Sequence, residues 1–144
     1  MNNSKDKNKI KLEYSIISND FKRAGETSSN IKSILKKVGI DNKVIRKVAI
    51  VTYEAEMNIV IHSYGGNIKL MVEGNNIIIN AYDKGPGIED ISLAMKEGYS
   101  TATDEVRELG FGAGMGLPNI KKCSDYFKIE SSTEGTRLLI KISF

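Results

Sequence analysis

The chain has 144 residues, of which 40% are hydrophobic and 27% are charged, and its formal net charge is +3. This size and balance are ordinary for one soluble globular domain with a substantial core. The charge is too small to argue for direct binding of nucleic acid. The single cysteine, Cys123, excludes an internal disulfide and a zinc site built from several cysteines.

No segment resembles a membrane span or a secretion signal. The apolar runs are shorter than the roughly 20 residues needed to cross a bilayer, and the N-terminus lacks the apolar core of a signal peptide. These features, with the single cysteine, predict a cytoplasmic protein. We expect residues 1–9 to form a flexible, lysine-rich N-terminal arm and residues 10–144 to form a single domain.

The first half of the chain predicts one strand and two helices. Ile10–Ile17 alternates as a strand does. Asn19 or Asp20 is expected to cap a helix that ends at Gly39. A longer helix is expected from Asp41 to about Ser63, since its apolar residues recur at intervals of three or four and share one face. Its expected core-facing residues are Val44, Val48, Val51, Ala55, Ile59 and His62.

Two hairpins and two further helices are predicted in the second half. The expected elements are a hairpin of Ile68–Val72 and Ile77–Tyr82 around Gly74, a short helix from Asp90 to Glu97, a helix from Leu117 to Phe127, and strands Phe127–Glu130 and Thr136–Phe144. Ile120, Cys123 and Phe127 are expected to face inward on the fourth helix. This order predicts an α+β fold, a two-layer sandwich of a mixed, mainly antiparallel sheet with helices on one face.

A carboxylate stands at the end of the predicted strand Ile77–Tyr82. Asp83 is followed by Gly85 and Gly87, which allow positive φ and a close approach of the backbone to a ligand. Pro86 stiffens the turn between the two glycines. This pattern is typical of a loop that forms one side of a binding site for a flat polar ligand. The same residues also form ordinary surface turns.

Two further polar residues are spaced for one helical face. Glu54 and Asn58 are four residues apart, beside the apolar stripe of the long predicted helix. Two interpretations remain open from spacing alone: a solvent-facing pair and a pair that lines a cleft.

A glycine-rich segment runs from Gly98 to Gly116 without apolar periodicity. It matches neither a dinucleotide fingerprint, since Met115 and Leu117 stand where a third glycine is needed, nor a Walker A loop, since no Gly-Lys-Ser/Thr triplet follows. A loop of this length is typical of a lid, a binding loop or a disordered segment. Because it opens into a predicted helix, it also presents free amides to which phosphates bind.

Taken together, four motifs resemble the boxes of the GHKL ATPase family, whose fold is the Bergerat α/β sandwich. The motifs are Glu54-x-x-x-Asn58, Asp83-x-Gly85-x-Gly87, Gly112-x-Gly114-x-Gly116-Leu117 and Gly135-Thr136. The run from Glu54 through His62 to Tyr64 is similar to anti-sigma-factor serine kinases. The run from Gly110 to Pro118 more closely resembles the related stressosome switch kinases.

The resemblance implies a role for each motif residue. Asp83 would accept a hydrogen bond from the adenine amino group, with Gly85 and Gly87 against the base and Thr136 in support. The implied phosphate-binding residues are Gly112, Gly114, Gly116 and Leu117. Asn58 would offer its amide oxygen to Mg²⁺, and Glu54 would orient or deprotonate the attacking hydroxyl. For His62, packing or hydrogen bonding is favoured over catalysis.

The implied function is that of an ATP- and Mg²⁺-dependent protein serine/threonine kinase in partner switching. Its substrate would be a STAS-type antagonist protein, and a sigma factor or another effector is a further candidate partner. The main alternative is a non-catalytic module that selects partners by nucleotide state, and a weaker one is an ATP-hydrolysing regulator. Retention of Glu54 favours the kinase. The sequence leaves open whether the chain forms a homodimer.

Overall fold

The computed structural model describes residues 9–88, 90–96 and 116–144. Its elements are β1 (Lys9–Ile16), α1 (Glu26–Lys37), α2 (Asn42–His62), β2 (Gly66–Glu73), β3 (Asn76–Lys84), α3 (Ile91–Ala94), α4 (Gly116–Cys123), β4 (Tyr126–Ser132) and β5 (Gly135–Ser143). None of the helices in these ranges combines the length and the apolar character required to cross a membrane.

The strands form one sheet in the order β1-β2-β3-β5-β4. All four pairings between these strands are antiparallel. One face carries the core, as in the row in which Leu70, Ile79 and Ile140 stand side by side under the helices. On the other face Lys69, Asn80 and Lys128 are exposed. The prediction of a mainly antiparallel sheet with helices on one face is confirmed.

Both predicted hairpins are present. Between β2 and β3, Glu73 pairs with Asn76 across the turn residues Gly74 and Asn75. Gly74 has φ +58°, a value that favours glycine. The second hairpin joins β4 to β5 and brings β5 beside β3 at the centre of the sheet.

The start of α1 differs from the prediction. The helix begins at Glu26 rather than near Asp20, and its cap residue is Gly25, with φ +96°. Gly25 has no side chain to accept from the free amides, and its own amide donates instead to Glu56 Oε2 on α2, 3.1 Å away. The end at Gly39 is confirmed: Gly39 has φ +84°, and Ile40 N donates to Leu35 O as in a Schellman turn.

Glu56 is therefore a buried carboxylate that serves another helix. The residue is only 3% exposed. Burial raises its pKa, and hydrogen bonds from the backbone amides of Gly25, Thr27 and Ser28 offset part of that rise. The hydrogen bond from Gly25 N shows that Glu56 lies on the side of α2 that faces α1.

The long helix matches its prediction closely. Asp41 caps α2 by accepting from Lys43 N at 3.1 Å, and the helix ends at His62. The core-facing assignment is confirmed for Val48, Val51, Ala55 and Ile59, which are buried. It is wrong for His62, which is exposed at the C-terminal end of the helix. Val44 is half-buried.

The fourth helix is shorter than predicted. It ends at Cys123, and Phe127 lies on β4, where it pairs with Ile140 of β5. Sheet pairing overrides the helical spacing that favoured an inward Phe127 on the helix. The short helix α3 spans Ile91–Ala94 after its cap Asp90, and it is shorter than predicted because Met95 and Lys96 are no longer helical. The predicted last residue, Glu97, lies outside the described residues.

Candidate functional site

Asp83 and Thr136 stand opposite each other on neighbouring strands. They are partners in the register of β3 and β5, and Thr136 N donates to Asp83 Oδ1 at 3.2 Å. Asp83 is half-buried, and this burial raises the pKa of its carboxyl group, while the hydrogen bond from Thr136 acts in the opposite direction. One carboxylate oxygen is thereby fixed to the sheet, and Oδ2 has no hydrogen bond assigned to it within the described residues, so it can accept from a ligand.

The hydroxyl of Thr136 belongs to a short polar chain. Thr136 Oγ1 lies 2.9 Å from Ser131 Oγ on β4, and that oxygen also accepts from Ile88 N at 2.7 Å. This chain ties the end of the Asp83 loop to the two C-terminal strands. Thr136 itself is buried, so its hydroxyl has a fixed position beside Asp83.

Close packing of the chain explains both glycines of this loop. A Cβ on Gly87 would lie 2.0 Å from Ser132 O, and the residue has φ +78°. A Cβ on Gly85 would lie 3.2 Å from Ser63 Cα at the end of α2. The loop is thus seated against β4 on one side and α2 on the other. The predicted contacts of Gly85 and Gly87 with a base remain predictions.

We expect Gly87→Ala to destabilise the fold by more than the backbone strain alone. The left-handed conformation costs about 1–2 kcal/mol for alanine, and the overlap with Ser132 O adds a forced shift of the loop. Urea unfolding would measure the loss in free energy. Gly74→Ala is the matched control, since its φ is +58° and nothing lies within 4 Å of its added Cβ. Equal losses in the two variants would show that the overlap costs nothing.

Glu54 and Asn58 lie between α2 and α4. Both are half-buried. Glu54 Oε2 accepts from Asn119 Nδ2 at 2.7 Å, and a Cβ added to Gly116 would lie 3.2 Å from Asn58 Oδ1. Of the two interpretations left open by the spacing, the structure favours the cleft-lining pair over the solvent-facing one.

The first residues of α4 connect this pair to the glycine-rich segment. Gly116 is the first residue of the helix, so its amide lies where the dipole and the free N–H groups favour an anion. Leu117 is 7% exposed and packs in the core, which anchors the helix. Gly112 and Gly114 lie outside the described residues, as does the rest of the predicted lid before Gly116.

The end of α2 is joined to the end of β3. Tyr64 N donates to Lys84 O at 2.7 Å, and Lys84 N donates to Gly65 O at 2.9 Å. Asn58 stands about one turn before the end of α2, and Asp83 immediately precedes Lys84. The two groups of predicted site residues are therefore carried by adjoining ends of rigid elements.

The donor set suits magnesium bound together with a substrate. Within the described ranges no cluster of three or more His, Cys, Asp or Glu side chains is arranged to hold a metal ion. Asn58 offers one neutral amide oxygen, and a side chain at position 116 would crowd that oxygen, because a Cβ there would lie 3.2 Å from it. Mg²⁺ takes few protein oxygens and completes its shell with water and phosphate oxygens, so Asn58 fits the role of a single protein ligand.

A large cavity lies elsewhere in the molecule. It has a volume of about 990 Å³ between β1, the following loop, α1 and α2, and its lining includes Tyr14, Arg23, Glu26 and Glu56. None of the predicted site residues lines it. We do not take this cavity as the candidate site on the basis of its size. The polar residues that the sequence motifs identified lie elsewhere, at the end of β3, near the end of α2 and at the start of α4.

Asn119 was missed by sequence reasoning. It lies 65 positions from Glu54 along the chain, and no spacing rule connects residues at that separation. Only the packing of α4 on α2 brings the two side chains together.

Comparison with known proteins shows the family to which the chain belongs. Residues 17–142 match the model of a family described as the histidine kinase-like ATPase domain. The chain is 36% identical over 95 residues to the anti-sigma F factor of Thermoanaerobacter sp. (strain X514), covering 62% of either chain. It is 30% identical over 114 residues to the serine/threonine-protein kinase RsbT of Bacillus subtilis (strain 168), covering 74% of this chain and 78% of RsbT.

A solved structure shows the same fold. The chain aligns with the structure of the RsbU and RsbW domains of Rv1364c from Mycobacterium tuberculosis with a TM-score of 0.65 and 15% sequence identity. The alignment covers 93% of this chain and 32% of that longer one.

Proposed function

Since the chain belongs to the histidine kinase-like ATPase family, we propose that it is a cytoplasmic, ATP- and Mg²⁺-dependent protein serine/threonine kinase of the partner-switching type. The observation that carries the proposal is the Glu54 carboxylate, fixed between α2 and α4 beside Asn58. A module that only bound nucleotide would have no need for a carboxylate held at this place.

Adenine recognition is assigned to the β3–β5 end of the site. Asp83 Oδ2 would accept from the exocyclic amino group of the base, while Oδ1 stays with Thr136 N. Guanine presents a carbonyl oxygen at the corresponding position, which a carboxylate repels. The Thr136 hydroxyl would support the base, directly or through water, and the Gly85–Gly87 loop would lie along its face.

Phosphate binding is assigned to the start of α4. The free amides at Gly116, with those predicted for Gly112 and Gly114, would receive the phosphate oxygens. Asn58 would hold Mg²⁺ through its amide oxygen. The chemistry that this ion supplies when bound is neutralisation of the charge on the transferring phosphoryl group.

Glu54 is assigned the role of general base. The substrate hydroxyl oxygen forms a bond to the γ-phosphorus, its proton passes to the Glu54 carboxylate, and the bond to the ADP leaving oxygen breaks. We assign as substrate a serine or threonine of a STAS-type antagonist protein, because the relatives of this chain include anti-sigma F factors and RsbT. A sigma factor or another effector is the proposed competing partner.

The direct test is phosphoryl transfer. The chain would be incubated with labelled ATP, Mg²⁺ and the STAS-type protein encoded by a neighbouring gene, and label on serine or threonine would be measured. Transfer of label supports the kinase. Absence of label on any such protein, together with different partner affinities in ATP and ADP, would replace it with the non-catalytic module.

We expect Asn58→Ala to weaken Mg-ATP binding and phosphoryl transfer together. The variant removes the one protein oxygen assigned to Mg²⁺, so ground state and transition state lose the same ligand. Calorimetric titration with ATP in the presence and absence of Mg²⁺ would measure the effect. Wild type should gain affinity from Mg²⁺ and the variant should gain much less. An unchanged gain would remove Asn58 from the metal site.

A further inference from the structure

The side chain of Asn119 forms the only hydrogen bond assigned to the Glu54 carboxylate within the described residues. The distance from Asn119 Nδ2 to Glu54 Oε2 is 2.7 Å. Asn119 lies about one turn into α4, and both side chains are half-buried between the helices. In the same part of the chain Glu54 has no ion-pair partner, since the described salt bridges join other residues.

This contact fixes a side chain that would otherwise be free to rotate. Glutamate has three side-chain torsions, and its rotamer freedom is among the largest of all residues. A hydrogen bond to an ionised acceptor is stronger than one between neutral groups. With Oε2 occupied by Asn119, the orientation of the carboxylate plane is set and Oε1 remains to receive a proton.

We propose that Asn119 is a positioning residue, which holds Glu54 so that its second oxygen faces the incoming substrate hydroxyl. The inference rests on the proposed kinase function. It also makes the orientation of the base depend on a second helix. Glu54 belongs to α2, but its orientation is set by Asn119 of α4, the helix that begins at the end of the glycine-rich segment. Glu54 is then correctly oriented only when α4 is packed against α2.

The first test is single-turnover transfer by Asn119→Ala and Asn119→Asp. Without the amide donor, the carboxylate samples other rotamers, and misplacement of a reacting group by about 1 Å costs up to roughly a hundredfold in rate. We expect both variants to be at least about tenfold slower at saturating ATP. Asn119→Asp keeps the size of the side chain but faces Glu54 with a like charge, so it should be the slower of the two. The dissociation constant for ATP should stay near the wild-type value in both.

Lys121→Ala is the matched control on the same helix, because Lys121 is exposed and has no assigned role. It should transfer at the wild-type rate. If Asn119→Asp transfers faster than Asn119→Ala, side-chain volume matters and the donor does not, which overturns the proposal. Wild-type rates in both Asn119 variants would also overturn it.

The second test reads the contact without catalysis. Thermal unfolding would be compared for Asn119→Asp, for Glu54→Gln and for the double variant Glu54→Gln/Asn119→Asp. In the double variant the glutamine amide donates to the aspartate, so the hydrogen bond is restored with donor and acceptor exchanged. We expect it to regain most of the thermal stability lost by Asn119→Asp alone, as a coupled pair does. Additive losses would show that the two side chains do not interact.

The two tests separate this inference from the kinase proposal. If wild type transfers no phosphate, the kinase function fails and the positioning role fails with it, while the thermal data still report whether the contact exists. If wild type transfers phosphate and the Asn119 variants keep pace, the kinase function stands and only the role of Asn119 is lost.

Discussion

Glu54→Gln is expected to lower the rate of phosphoryl transfer by about 10²–10⁴ while ATP affinity stays near the wild-type value. Glutamine has the size of glutamate, and its amide oxygen can still accept from Asn119 Nδ2, so the side chain keeps its place between α2 and α4. What disappears is the ability to take a proton from the substrate hydroxyl. The nucleotide does not depend on that proton transfer in order to bind.

The measurement is a single-turnover assay with labelled ATP and a cognate STAS-type protein, paired with calorimetric titration of ATP. Asn58→Ala is the contrasting variant, since it should lose affinity and rate together. If Glu54→Gln transfers at the wild-type rate, Glu54 is not the base. A parallel loss of ATP affinity would instead place Glu54 in nucleotide binding.

Asp83→Asn is expected to weaken ATP binding by roughly ten- to a hundredfold, the range that corresponds to loss of a hydrogen bond to a charged group. In the variant, the amide oxygen must stay with Thr136 N, which donates to Asp83 Oδ1 at 3.2 Å. The asparagine NH₂ group then faces the adenine amino group, and two donors oppose each other. The strand pairing that holds Thr136 does not change, so the fold should persist.

Calorimetry with ATP and circular dichroism would test the two halves of this expectation. Asp41→Asn is the matched control, since it makes the same chemical change at a residue outside the candidate site. Asp41 is the N-cap of α2, at the opposite end of that helix from Asn58. Asparagine caps a helix as well as aspartate does, so the helix should not be weakened. It should bind ATP as wild type does. An unchanged affinity in Asp83→Asn would remove Asp83 from the site, and a loss of folded signal would show that the carboxylate is structural.

The spacing of residues along the sequence correctly predicted those parts of the fold whose conformation is decided by residues close in sequence. Alternation identified the hairpin strands, three- and four-residue spacing identified α2, and Gly39 marked the end of α1. The start of α1 was wrong because its cap comes from a distant residue: Gly25 donates to Glu56, 31 positions away. No rule about adjacent residues could identify that acceptor.

The same distinction holds for the candidate site. The motif residues Glu54, Asn58 and Asp83 could be selected from the sequence because their spacing and glycine neighbours resemble a known family. Asn119 could not, since its contact with Glu54 depends on how α4 packs on α2. Phe127 shows the converse, because its helical spacing was genuine but pairing with Ile140 in the sheet decided its conformation.

The pairing of β3 with β5 has a consequence for the lifetime of the protein. Asp83 and Thr136 are separated by 53 positions, so this end of the candidate site assembles only after the last strand has entered the sheet. Under the proposed function, nucleotide would therefore bind the closed sheet and not partly folded chains. At a concentration one hundred times its dissociation constant such a ligand adds about 2.7 kcal/mol to stability. Under the proposed function, a fall in cellular ATP would then expose the chain to degradation and shorten its turnover time, so that its abundance would follow the energy supply.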